Sequence, residues 1–309
     1  MTGAFDDIII RQMMPGESSG SRPKFTPIRL GKEGVEEQIE FKSPLYLGKM
    51  PDQPSTHKQR ELADYALNKE TYYPAGENLG LPGCFALWTP SRTHVTPKLL
   101  RKSRGIEVWT SEAFYERDMP VVYDHVEKGG LTPHIELLRE ATEYKLPITV
   151  RLSGGDIYKQ VVSAVEAGAD GVTISIHDTM VTPHKRGMLG LFPPAARAMF
   201  DSGGRKDGVV LMVEGDIGSG EDLYKCLAMG ADMVGVTTPA MEMLELGRGK
   251  LDEFFSLVEQ ECLALMGLSG QENQETLSSD NLMAADYDTA VVTGLKMLGY
   301  EKELPIWLH

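Results

Sequence analysis

Gly215, Gly218 and Gly220 follow at once on the apolar run Val209 to Val213. Glycines between an apolar strand and a helix start present backbone N–H groups, and such donors bind phosphate. A second run, Asp232 to Val236, contains Gly235 and ends in Thr237 and Thr238. Free amides of Gly215, Gly218 and Gly235, with the Thr237 hydroxyl, could hold one dianion where the two turns meet. Asp216 and Val236 lie in the same turns and complete the candidate set. The plainer alternative is a pair of tight strand-to-helix turns. His177 and Asp178 close a third run, Gly171 to Ile176. A histidine there can donate to a carboxylate or carbonyl, or move a proton near neutral pH. Asp178 could orient it or bind a substrate cation. His125, His134 and His184 show no metal-ligand spacing and read as solvated. Cys84, Cys226 and Cys262 are too far apart for a zinc or cluster pattern, so no metal is expected.

These residues need a frame that brings strand ends together. Eight strand candidates are SPLYLG from Ser43, Glu70 to Pro74, Cys84 to Trp88, Gly105 to Trp109, Pro147 to Leu152, Gly171 to Ile176, Val209 to Val213 and Asp232 to Val236. Helical spacing marks Ser55 to Asn68, Thr132 to Tyr144, Asp156 to Ala167, Phe192 to Phe200 and Glu221 to Met229, with Gly230 as a stop. Strands alternating with helices predict a parallel sheet. AGADGVTIS and MGADMVGVT repeat one helix-to-strand pattern. The fold class is therefore α/β, a (β/α)8 TIM barrel over residues 43–249. In such a barrel a phosphate site lies after strands seven and eight. Residues 1–42 read as an N-terminal arm without regular elements, because Pro15, Gly16, Gly20 and Pro23 interrupt it. Residues 250–309 read as a helical C-terminal extension, with LSSDNLMAAD and YDTAVVTGLKMLGY as two of its helices.

The net charge of −14, with no basic run, argues against nucleic acid and anionic membrane as partners. MTGAFDDIIIRQ resembles neither a signal peptide nor a membrane span, so a cytoplasmic protein with buried, reduced thiols is expected.

The stretch from Ile148 to Met241 resembles the FMN-binding synthase domain of glutamate synthase and its stand-alone relatives. IEVW at Ile106 to Trp109 is similar to that family's IEIK strand, and ITVRL at Ile148 to Leu152 to its VxVKL strand. AGADGVTISIHD resembles AxADxIxISGHD, and VEGDIGSGEDLYKCLAMGADMVGVTT resembles DGGxRTGxDVxxAxxLGAxxxGxGT. SPLYLGKMPDQPS and AGENLG are similar to its PIxIxxMSFGxxS and TGEGG segments. Two loops depart: TSEAFYERDMP follows IEVW, and HDTMVTP stands where the family has HDGGTGASP.

The resemblance implies FMN as cofactor and redox or imine chemistry on a small amino or keto acid. It places a cation for the pyrimidine end of the flavin at Arg151, where the family carries Lys. Arg stays charged and forks, so the exchange is not silent. A structural ion pair is the alternative for Arg151. The resemblance lays Met50 against the ring, against a plain core role, and puts Glu214 on the ribityl hydroxyls in place of Asp. Glu77 would contact a substrate amine or cap a turn. Synthase-like partner subunits and a homo-oligomer are also implied. Two further readings stay open: a degenerate barrel that binds another phosphorylated ligand or serves as a subunit, and a 2-hydroxyacid oxidase, for which Arg186 and Arg197 are the nearest carboxylate clamps.

Overall fold

The protein is described from a computed structural model covering residues 5–13, 22–50, 55–75, 84–89, 100, 102–116, 119–124, 130–152, 156–175 and 189–300. Three short strands come first: β1 (Ile8–Ile10), β2 (Ile28–Leu30) and β3 (Ile39–Phe41). Eight parallel strands then build the barrel. They are β4 (Leu45–Leu47), β5 (Pro74–Ala75), β6 (Phe85–Trp88), β7 (Gly105–Trp109), β10 (Ile148–Leu152), β11 (Gly171–Ser175), β12 (Val210–Gly215) and β13 (Met233–Val236). Their order is β4-β13-β12-β11-β10-β7-β6-β5. The two end strands approach where Leu47 N–H donates to the Tyr72 carbonyl at 3.2 Å. The barrel is nearly closed, as the alternating pattern predicts.

Helices cover the outside: α1 (Thr56–Lys69), α2 (Thr132–Ala141), α3 (Ile157–Glu166), α4 (Phe192–Asp201), α5 (Gly220–Ala228) and α6 (Thr238–Glu245). Local chemistry sets their ends. Ser55 and Asp156 cap α1 and α3 with side-chain oxygens. Gly230 follows α5 at φ +106°, a conformation that stops a helix. Strand alternation sorts the side chains. Ile106, Val108, Ile148, Val150, Val172 and Ile174 face outward onto Ile135, Leu138, Val161 and Ala195. The inner residues Glu107, Thr149, Arg151 and Thr173 are polar and buried. No helix among the described residues is long and apolar enough to cross a membrane.

The arm and the extension correct the sequence reading. β2 and β3 form an antiparallel hairpin over the N-terminal end of the barrel. Leu30 is fully buried there and reaches Gly171 at the start of β11. β1 pairs antiparallel with β14 (Leu282–Ala284), in the register Ile8↔Ala284. LSSDNLMAAD is thus a short 3-10 turn and a strand, not a helix. The extension keeps two helices, α7 (Arg248–Leu268) and α8 (Tyr287–Thr293). The uninterpreted stretch after IEVW holds an antiparallel hairpin, β8 (Ser111–Glu116) and β9 (Met119–Asp124), leaving the C-terminal end of β7.

Candidate functional site

Arg151 ends up at the heart of the barrel. It is the inward residue near the C-terminal end of β10 and is 1% exposed. Its Nε donates to Glu107 Oε2 at 3.0 Å, and its NH1 donates to Glu214 Oε1. Glu107 comes from the middle of β7 and Glu214 from β12, both fully buried. Inner positions recur every second residue, so β7, β10 and β12 each turn one of these side chains into the barrel, where the three meet.

Other side chains complete this layer. The Tyr72 hydroxyl donates to Glu107 Oε1 at 2.8 Å, Trp109 Nε1 to Glu107 Oε2 at 2.9 Å and Thr173 Oγ1 to Glu107 Oε1 at 3.3 Å. The Tyr46 hydroxyl donates to Glu214 Oε2 at 3.5 Å, and the Lys49 amide to the same oxygen at 3.2 Å. Burial, reinforced by Glu214, holds the Tyr46 phenol well above its ordinary pKa. Burial, reinforced by Glu107, does the same to Tyr72. Both phenols therefore remain protonated donors through the neutral range. Above them the Lys49 ammonium lies 3.7 Å from the centre of the Trp109 ring, and the Arg151 guanidinium 5.3 Å from it.

The two glycine-bearing turns do converge. Thr237 N–H donates to the Gly215 carbonyl at 3.1 Å, and the Thr237 hydroxyl to Asp216 Oδ1 at 3.1 Å. Of the amides expected to be free, that of Gly218 is engaged, however. Gly218 and Ser219 N–H both donate to Asp222 Oδ2 at 3.1 Å, within a capping box at the start of α5. Gly220 N–H donates to Glu261 Oε2 of α7 at 2.6 Å. The physical reason is the helix start itself: unpaired amides there attract the nearest anionic oxygen, and a carboxylate three residues on supplies it.

Gly235 packs closely against the barrel interior. The Cβ it lacks would stand 2.5 Å from the Tyr46 ring and 2.8 Å from Glu214 Cβ. It is glycine because it faces the packed interior. Val236 faces outward into the apolar core, and its carbonyl accepts from Gly48 N–H at 2.9 Å. Met50 is buried in that same core cluster. Gly215 and Asp216 stand at the converging turns as described. Glu77, His177 and Asp178 lie outside the described residues, as do His125, His184 and Arg186. Arg197 pairs on the surface of α4 with Asp201 at 3.4 Å. His134 is half-buried beside Trp88, with ring centres 5.6 Å apart, rather than solvated.

Sequence reasoning passed over Glu107, Tyr46, Tyr72, Trp109 and Lys49. For Glu107 a signal existed: one charge flanked by Ile106 and Val108 in a strand otherwise apolar. Such a residue must be inward and paired.

The chemistry of the donors suits a flavin with an anionic tail. Arg151 supplies a fixed cation within the barrel, and the first turn already binds anionic oxygens. Of these, Asp222 is held by exposed or half-buried bonds. Glu261 sits where α5 and α7 touch: a Cβ on Gly220 would lie 2.5 Å from the backbone of α7.

Comparison with known proteins agrees with this fold. A model of the family described as FMN-dependent dehydrogenase matches residues 91–284. A glutamate synthase large subunit-like protein of Rhizobium meliloti (strain 1021) is 37% identical over 189 residues, covering 50% of this chain and 42% of that protein. An L-lactate oxidase of Lactobacillus jensenii is 28% identical over 145 residues, covering 46% of this chain and 33% of that protein. The chain thus spans less than half the length of these curated relatives. A solved mandelate oxidase variant with a monooxide FMN adduct superposes with a TM-score of 0.64 at 19% identity, covering 90% of this chain and 88% of that one.

Proposed function

This chain belongs to the FMN-dependent dehydrogenase family, and from that premise we propose that it oxidises or reduces a small amino or keto acid at the C-terminal mouth of the barrel. FMN is the cofactor, and the protein is an oxidoreductase. The observation that carries the site assignment is Arg151, a buried cation near the C-terminal end of a barrel strand, inside the matched segment. Strand ends on that face are where barrel enzymes do chemistry.

When bound, FMN supplies the electron transfer itself. The residues of the chain do the rest. Arg151 presents a fixed positive charge to the pyrimidine end of the ring. Glu107 and Glu214 hold its guanidinium in one orientation. Tyr46 and the Lys49 amide fix Glu214, which would accept from the ribityl hydroxyls. Thr237 and the Gly218 amide take the phosphate, with Asp222 giving up its place. His177, which follows β11 in the sequence, would donate to the substrate carboxylate or carbonyl or move a substrate proton, and Asp178 would orient it or bind a substrate cation. Glu77 takes a substrate amine, and Met50 backs the ring.

A second substrate class is favoured by the likeness to an L-lactate oxidase and a mandelate oxidase: a 2-hydroxy acid. It shares the carboxylate and differs in the group oxidised. One titration separates the readings. Purified protein with FMN should show the flavin visible bands and bleach anaerobically with either an amino acid or a 2-hydroxy acid panel. Protein that stays colourless with added FMN would end the proposal.

A further inference from the structure

Glu107 is the most heavily bonded carboxylate inside the barrel, and nothing in the proposed chemistry uses it directly. Four donors from separate parts of the chain converge on it: the Tyr72 hydroxyl, Trp109 Nε1, the Thr173 hydroxyl and Arg151 Nε, at 2.8, 2.9, 3.3 and 3.0 Å. A carboxylate has acceptor sites for all of them, whereas a carboxamide brings two N–H groups of its own. Burying such a group is costly unless it is paired and hydrogen-bonded. Its one charged partner among the described residues is Arg151, which Glu214 also engages from the other side.

Two carboxylates thus flank one guanidinium. A bare buried cation beside a flavin would favour added electrons strongly. A cation compensated on both sides favours them less. We propose that Glu107 is a positioning residue that sets how much of the Arg151 charge the flavin feels, and so sets the cofactor's electron affinity. The proposal rests on Arg151 lying at the pyrimidine end of the ring. Geometry and charge act together here, because Glu107 also fixes Trp109, whose ring stacks beneath the Lys49 ammonium.

The test uses full-length protein loaded with FMN. Wild type, Glu107→Gln and Glu107→Asp are compared for FMN affinity by fluorescence quenching, for midpoint potential against a reference dye, and for sulfite affinity from loss of the visible band. Removing one unit charge within about 10 Å, at an effective dielectric near 20, is worth more than tenfold in an equilibrium. Glu107→Gln should therefore favour the reduced cofactor by at least about tenfold, an upward shift of about 30 mV for a two-electron couple. Sulfite should bind about tenfold tighter. Glu107→Asp keeps the charge and should stay close to wild type in both readouts. A purely structural role would weaken FMN binding without moving the potential. Unchanged potential in Glu107→Gln that binds FMN normally overturns the inference. Failure of wild type to bind FMN overturns the Arg151 assignment and this inference with it. If Glu107→Gln does not fold, Tyr72→Phe carries the test. It removes one neutralising donor and keeps the ring, so the potential should fall by at least twofold in equilibrium; no change overturns the proposal.

Discussion

A methyl group added at Gly235 would meet the Tyr46 ring at 2.5 Å, closer than real Cβ contacts allow. Tyr46 is itself fully buried and packed edge-on against Tyr72, so it cannot swing aside. Gly235→Ala should therefore lower stability by about 1–3 kcal/mol, as overpacked cores do. Urea unfolding checks this, and an unchanged midpoint would mean that the interior yields to the added methyl. Gly235→Asp should cost more still, so loss of FMN in that variant would report a damaged barrel rather than a filled phosphate site. The sequence showed that Gly235 mattered, but not why, because phosphate approach and ring packing both demand a missing side chain. Arg151 was legible through its place in ITVRL. Its two carboxylate partners were not, since they come from β7 and β12 and meet only when the barrel closes.

The start of α5 is where two uses of the same amides compete. Its capping box joins Ser219 and Asp222, and the carboxylate also takes the Gly218 N–H. Asp222→Ala removes that oxygen. Stability should drop by about 1 kcal/mol, the usual effect of losing a cap. FMN should bind more tightly to this variant, while riboflavin, which lacks the phosphate, should bind as before. Equal changes for both ligands would show that the phosphate goes elsewhere. Most of the barrel's elements were readable because each carries its own signal: β-branched runs, N-caps at Ser55 and Asp156, a stop at Gly230. The short strands β1, β2, β3 and β14 were not. Three residues contain too little periodicity to announce a strand, and their pairing comes from partners far away in sequence.

At the scale of the whole molecule, all three cysteines are buried and unpaired. Burial pushes the Cys84 thiol up to about 12, and it raises Cys226 and Cys262 as well. A raised thiol pKa keeps the unreactive neutral form through neutral pH. Ellman's reagent at pH 8 should therefore label none of them quickly in the native protein, and all three in denaturant. Rapid native labelling would show that the α5–α7 contact, which encloses Cys226 and Cys262, opens readily. The barrel as a class was legible because its repeats are local, βα unit by βα unit. The arm lying along the extension was not, although four backbone bonds tie them: Arg11 to Asn281, Met13 to Leu268, Lys24 to Glu272 and Ala285 to Asp7.

That seam has a bearing on biosynthesis. β1 leaves the ribosome before every barrel strand, yet its strand partner among the described residues, β14, is made after all of them. Until then the three consecutive isoleucines of β1 have an unsatisfied edge and nothing to zip onto. Closing so wide a loop is entropically slow. Ile8 to Ile10 is accordingly exposed to chaperones, or to a neighbouring nascent chain, until β14 emerges.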